Sequence, residues 1–144
     1  MMEYIQEKRV FYGDTDAYGV VWHGAYTRWL EEARTEAFEK SLKMSLPELE
    51  AGNIQFPVAE MNIRYKSPAR IHENIVIKTH ISDLKPFCVT FETNIYNKET
   101  QALRITAHVT IAVTNAETGR MFRRMPENLY ERFKQAAGEL ISAR

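Results

Sequence analysis

The sequence predicts an α+β domain: one antiparallel sheet of five strands wrapped around a single long helix, with a further helix at the C-terminus. Three observations predict it. Residues 22–40 place apolar side chains on one face at helical spacing. Four stretches between residues 58 and 113 alternate apolar and polar with a period of two. Short turns, never a helical repeat, separate those stretches. The 144 residues, 44% hydrophobic and 26% charged, suit one domain over 1–144 with a core large enough to need no disulfide or structural metal.

The chain opens with a strand expected over Tyr4 to Tyr12, followed by turn formers and short acids from Gly13 to Gly19. A long helix is expected from near Trp22 to about Lys40. Trp22, Tyr26, Trp29, Leu30, Ala33 and Ala37 share its buried face. Arg28, Glu32, Glu36 and Lys40 follow at i+4 on another face, and Glu36–Lys40 stands in the favourable order. The run Ser45-Leu46-Pro47-Glu48 reads as a capping box opening a short helix, with Gly52 as its stop.

Met61, Ile63 and Tyr65 then begin the period of two. It continues through Ile75, Ile77, Thr79 and Ile81, through Val89, Phe91, Thr93 and Ile95, and through Leu103, Ile105, Ala107, Val109, Ile111 and Val113. Read in order, these are four strands of a meander, closed by a tight turn at Asn115 to Gly119. A last helix is expected from near Pro126, with Leu129, Phe133, Ala136, Ala137 and Leu140 as its stripe and Gly138 weakening it. Long edge strands need a partner, which points to dimerisation by sheet extension.

Several function classes are excluded. Nineteen basic and nineteen acidic residues leave no field for non-specific nucleic-acid binding. No apolar run has signal-peptide or membrane-spanning length, so a cytoplasmic location is expected. Cys88, the single cysteine, allows no internal disulfide, fits a reducing compartment and reads as a small hydrophobe. There is no Gly-x-Ser-x-Gly elbow and no glycine-rich phosphate loop. His80 and His108 fall on polar strand faces and read as solvated.

The unusual segment is Asp14-Thr15-Asp16-Ala17-Tyr18-Gly19-Val20-Val21-Trp22-His23-Gly24. Two acids precede the N-terminus of the longest helix, whose first N–H groups lack intrahelical partners and can polarise a carbonyl oxygen. A nearby carboxylate could attack that carbonyl or activate water against it. On spacing alone, turn formation by Asp14 and Asp16 is the simpler reading. His23 is either a polar contact orienting the acid or a histidine bonded to the loop. A metal site of Asp14, Asp16 and His23 ranks below both, because acids one residue apart need a special loop to converge. Arg120, Arg123 and Arg124, with Lys85 in another turn, read as solvated residues or as phosphate contacts.

The stretch from Arg9-Val10-Phe11-Tyr12-Gly13-Asp14-Thr15-Asp16 through Trp22-His23-Gly24-Ala25-Tyr26 to Trp29-Leu30-Glu31-Glu32-Ala33-Arg34 resembles the signature of hotdog-fold acyl-CoA thioesterases. It is most similar to the 4-hydroxybenzoyl-CoA thioesterase-like group and its Tol-Pal-associated branch. Tyr65-Lys66-Ser67-Pro68-Ala69-Arg70 and the run from Gly119 to Pro126 add weaker matches. The resemblance implies hydrolysis of an acyl-CoA to free acid and CoA, without metal or redox cofactor, in a dimer or tetramer whose sites lie between subunits. It implies Asp16 as nucleophile or general base, the N–H of His23 or Gly24 as carbonyl donor, and the His23 side chain beside the acid. Tyr18, Gly19, Val20, Trp22, Gly24 and Tyr26 would line the substrate site, and Lys85, Arg123 and Arg124 would meet CoA phosphates. Tyr18 departs from the small residue many relatives carry; its phenol would narrow the pocket or add a hydrogen bond. The rival readings are a non-catalytic acyl- or CoA-binding hotdog module and an enzyme that takes acyl carrier protein.

Overall fold

The structure, a computed structural model, describes residues 2–138. In chain order the elements are β1 (Tyr4–Arg9), α1 (His23–Leu42), α2 (Leu46–Ala51), β2 (Ile54–Gln55), β3 (Val58–Tyr65), β4 (Asn74–Lys85), β5 (Cys88–Asn97), β6 (Leu103–Ala112), β7 (Thr114–Asn115) and α3 (Glu127–Ala137). One antiparallel sheet runs β1-β4-β5-β6-β3, and β2 and β7 form a separate two-stranded ribbon.

The expected four-strand meander is corrected by this order. Only β4, β5 and β6 follow one another; β3 lies at the far edge beside β6, in register Ile63↔Ala107 and Tyr65↔Ile105. The edge of β4 is already taken by β1, from Tyr4↔Thr79 to Arg9↔Asn74. Alternation specifies which face a strand buries, not which neighbour it pairs with.

The alternating residues of β4, β5 and β6 close over α1 without exception from Ile75 to Ile81, Val89 to Ile95 and Ile105 to Ile111. Ala33 and Ala37 are fully enclosed where the sheet approaches α1. Trp29, Leu30, Ile75, Ile77, Ile95 and Ile105 pack around the N-terminal half of α1. Phe38, Leu42, Phe91, Leu129 and Phe133 fill the other half, sealed by α3. Leu140 of the expected stripe lies outside the described residues. Gly138 ends α3 at φ 68 rather than weakening its interior.

Two ends differ from expectation. β1 stops at Arg9, because residues 12–14 form a single 3-10 turn in which the Asp14 carboxylate accepts the Phe11 N–H at 3.0 Å. Trp22 is exposed, not buried: it is the N-cap of α1 with extended backbone, and so stands outside the helical repeat that carries Tyr26 to Ala37 inward. α2 opens at the expected cap, with Ser45 Oγ accepting the Glu48 N–H, but the Glu48 carboxylate takes the Ser45 hydroxyl rather than its N–H, so only half of the expected capping box forms.

β3 is one edge of the sheet, and on its inward face Met61 and Tyr65 stay accessible while Ile63 between them packs against the core. One flank of α1 reaches its two ends, with Tyr26 against Tyr65 at 5.9 Å and Phe38 against Phe56, just before the strand, at 4.7 Å between ring centroids. Arg34 lies on this flank, between Leu30 and Phe38, and its buried Nη1 has no acceptor among the described residues. On the outer sheet face, His80 is less solvated than its polar position suggests: Glu92 sits between His80 and His108, with Nε2 atoms at 3.4 and 2.8 Å.

Candidate active site

The two acids of the loop have different roles. Asp14 is 5% exposed and engaged on every side. Its carboxylate takes the Phe11 N–H and the Arg28 guanidinium, the latter at 2.6 Å, and its carbonyl takes the Trp22 N–H at 3.0 Å. Asp16 is exposed. Its Oδ1 accepts from the N–H of Tyr18 at 2.8 Å and of Val20 at 3.4 Å, while Oδ2 has no donor among the described residues. The loop closes through the Thr15↔Val21 bridge, the Asp16 N–H to Val20 carbonyl bond and Gly19, whose φ of 76 favours glycine. Turn formation by Asp16 and a free carboxylate oxygen therefore coexist in one residue.

α1 begins directly behind this loop. Its N-cap Trp22 offers no side-chain acceptor and its first turn carries no acid. The N–H groups of His23 and Gly24 thus keep the positive end of the helix dipole open. The Trp22 indole folds over Gly24, where an added Cβ would lie 2.1 Å from the ring. The His23 ring meets that indole edge-on at 5.3 Å and makes no hydrogen bond to Asp16.

Residues 66–73 form the support beneath the acid loop. The Val21 N–H donates to the Ala69 carbonyl at 2.9 Å, and Val20 bridges Arg70. The Ala69 N–H donates to the buried Tyr26 hydroxyl at 3.1 Å. Burial pushes the Tyr26 phenol above its ordinary pKa, against the pull of that N–H bond. Arg104 holds the support to the sheet through two bonds to Glu73, at 3.1 and 2.8 Å, and one to Ser67 at 2.9 Å. A cavity of about 230 Å³ opens between Val21, Tyr26, Tyr65, Lys66, Ser67 and Pro68.

The structure brings Asp16, Gly19, Val20, Gly24 and Tyr26 to one end of α1. The Tyr18 side chain projects into solvent, so in the protomer it does not narrow the cavity. Lys85, Arg123 and Arg124 come close to one another, since the Met125 N–H donates to the Pro86 carbonyl at 2.7 Å. They stand at the opposite end of β4 from the acid loop. The strand has 12 residues, which puts its ends roughly 35 Å apart at ~3.3 Å per residue. Asp14, Asp16 and His23 form no metal-ligating group, and no other group of three such residues is present among the described residues. Glu73, Arg104 and Ser67 escaped the sequence reading as site residues because their contacts span more than thirty positions; Arg28 read only as part of a charged helix face.

An antiparallel five-stranded sheet closed around one long helix is the hotdog arrangement found among thioester hydrolases. The family model described as the thioesterase-like superfamily matches residues 10–133, and the chain belongs to that family. The acyl-CoA thioester hydrolase YbgC of Escherichia coli O157:H7 is 32% identical over 127 residues, 88% of this chain and 92% of that one. Among solved structures, a probable thioesterase from Bartonella henselae is 33% identical with a TM-score of 0.76, covering 87% of this chain and 100% of the other. A DHNA-CoA thioesterase from Staphylococcus aureus is 28% identical with a TM-score of 0.77, over 85% of this chain and 81% of the other.

Proposed function

We propose that the protein hydrolyses acyl-CoA thioesters to the free acid and CoA in the cytoplasm, with Asp16 supplying the carboxylate. The observation that carries this reading is the acid loop packed against the uncapped N-terminus of α1. The thioester carbonyl oxygen would accept from the N–H of His23 or Gly24, where charge develops as the carbonyl carbon becomes tetrahedral. Asp16 then acts in one of two ways. It attacks the carbon, expelling CoA thiolate and leaving an anhydride that water opens; or it takes a proton from the water that attacks. The acyl-CoA activity named for the YbgC relative supports the substrate class.

The active unit in this reading is a dimer paired along β3. That edge is open and carries accessible Met61 and Tyr65, and an acceptor from a second copy would satisfy the Arg34 Nη1. Antiparallel pairing of β3 with its copy turns the two protomers end for end. The basic trio Lys85, Arg123 and Arg124 of one protomer would then approach the acid loop of the other, which removes the separation seen within one chain.

The test is thiol release from a panel of acyl-CoAs. Asp16→Asn should keep the wild-type melting temperature and lose roughly 10²–10⁴-fold in kcat. Unchanged turnover would remove Asp16 from the mechanism; saturable binding of every acyl-CoA with no thiol release would establish a binding module instead. For the shared site, Asp16→Asn mixed with Arg123→Glu/Arg124→Glu should recover activity that neither variant has alone.

A further inference from the structure

We infer that the Tyr26 hydroxyl is a positioning group for Asp16, acting through Ala69 and Val21. This rests on Asp16 as the catalytic carboxylate and adds a group that the reaction needs away from the reacting atoms. Tyr26 is buried in the first turn of α1, with its ring edge-on to the enclosed Trp29 at 5.5 Å. Its oxygen accepts the Ala69 N–H at 3.1 Å. Ala69 is fully enclosed, and its carbonyl accepts the Val21 N–H at 2.9 Å. Next to Val21, the Val20 carbonyl accepts the Asp16 N–H at 2.9 Å. A path of hydrogen bonds therefore runs from the helix, through one buried residue of the 66–73 segment, to the backbone of the acid.

The carboxylate works against a carbonyl held by the N–H groups of His23 or Gly24, so its place relative to the start of α1 has to be fixed to within about 1 Å. The two arms of the acid loop are held differently. On the Asp14 arm, the Arg28 guanidinium and the Trp22 N–H bind the loop directly to the start of α1. On the Val20–Val21 arm, which carries the contact to the Asp16 N–H, the loop rests on Ala69 and on the bridge to Arg70. That support is anchored to the sheet. The Lys66 and Ser67 N–H groups donate to the Arg104 carbonyl at 2.9 and 3.3 Å, and Glu73 takes the Arg104 guanidinium. Among the described residues, its one hydrogen bond to α1 is the bond from Ala69 to Tyr26. Without it, the sheet rather than the helix sets the height of this arm.

A phenol suits the task. Burial pushes its pKa up and keeps it neutral, so the oxygen accepts the N–H and brings no second anion to the acid loop. Tyr26→Phe keeps the ring and its contact with Trp29, and deletes only the acceptor. The Ala69 N–H is then buried without a partner, and the segment relieves this by moving toward water.

The experiment is a double-mutant cycle of Tyr26→Phe and Asp16→Asn. It reads kcat and KM on the best-hydrolysed acyl-CoA of the panel, well below the melting transition, with single-turnover measurement where the rate is low. Tyr26→Phe should lower kcat roughly 10–100-fold. KM should stay within about twofold, the pattern of a group that acts on the transition state alone. In the Asp16→Asn background the same change should cost less than about twofold, because the carboxylate it positions is gone. An equal loss in both backgrounds makes the hydroxyl structural, or a direct substrate contact, and overturns the inference. Full turnover by Tyr26→Phe beside an impaired Asp16→Asn also overturns it, and leaves the thioesterase reading standing. If Asp16→Asn is as active as wild type, that reading falls and takes the inference with it. Should Tyr26→Phe fail to fold, Ser67→Ala takes its place in the cycle and is judged by the same outcomes, since it loosens the same segment by losing the bonds to the Leu103 carbonyl and Arg104.

Discussion

Arg28 and Asp14 are joined at 2.6 Å, tying the second turn of α1 to the turn that precedes the acid loop. Asp14 thereby commits both carboxylate oxygens to structure, whereas Asp16, two residues on, uses Oδ1 for the turn and keeps Oδ2 without a donor among the described residues. Replacing Asp14 with Ala removes the two contacts of its carboxylate, the Phe11 N–H and the Arg28 guanidinium, while the Trp22 N–H keeps its bond to the backbone carbonyl at position 14. The expected cost is about 1–2 kcal/mol, at the low end for a bond to a charged group because Arg28 is 58% exposed. Urea unfolding measures it, and faster hydrogen exchange at Val20 and Trp22 would show that the loop loosens first.

Gly24→Ala should behave unlike a glycine-to-alanine change in an ordinary helix, which stabilises by roughly 0.5–1 kcal/mol. The new methyl would occupy the place of the Trp22 indole, 2.1 Å away. Trp22 is exposed and can swing out, so the protein should stay folded. The expected signature is a red shift in tryptophan emission from Trp22 alone, since Trp29 is fully buried, with reduced turnover as the helix start loses its aromatic cover.

Arg104→Ala should be among the more destabilising single changes, by about 1.5–3 kcal/mol, because it leaves the half-buried Glu73 carboxylate without its guanidinium partner. Glu73→Leu/Arg104→Met removes both charges and should recover most of that loss. The double variant still lacks the bond to Ser67. Thermal melting should separate it from the single variant through the removed Glu73 charge, while the Ser67 bond that both variants lack keeps its kcat/KM below wild type.

Glu36 accepts hydrogen bonds from Lys40 and Gln6, and the Lys40 bond above all holds its carboxyl below the usual range. A depressed pKa in the fold means stability that is present above the unfolded value and lost as pH falls through the folded one. The unfolded value is ~4.3. Glu36→Gln should therefore melt below wild type at neutral pH, and the two curves should converge below about pH 4. The gap should be small and shrink with salt, since the Glu36 side chain is 31% exposed and near solvent.

Legibility in the sequence followed the range of the interaction. The helix of His23–Leu42, the cap at Ser45 and the turn at Gly119, with its φ of 72, depend on residues a few positions apart and were readable. The acid motif was readable as a candidate, yet spacing could not divide labour between Asp14 and Asp16. That division needed Arg28, which sits fourteen residues away on a helix whose orientation the motif does not contain. Trp22 misled the helical repeat because it falls one residue before the helix begins.

By itself the sequence determined which residues face inward, where helices start and stop, and that an acidic loop leads into the longest helix. Those properties arise from local backbone preferences and from a hydrophobic period repeated within each segment. Only the tertiary structure decided that β3 crosses to the β6 edge, that residues 66–73 support the acid loop, and that a groove opens beside it between Tyr26 and Tyr65. It also decided that the basic trio lies at the far end of β4 from Asp16. Each of these depends on pairing between positions distant in the chain, where competing partners carry the same local pattern and only the simultaneous closure of the core selects among them.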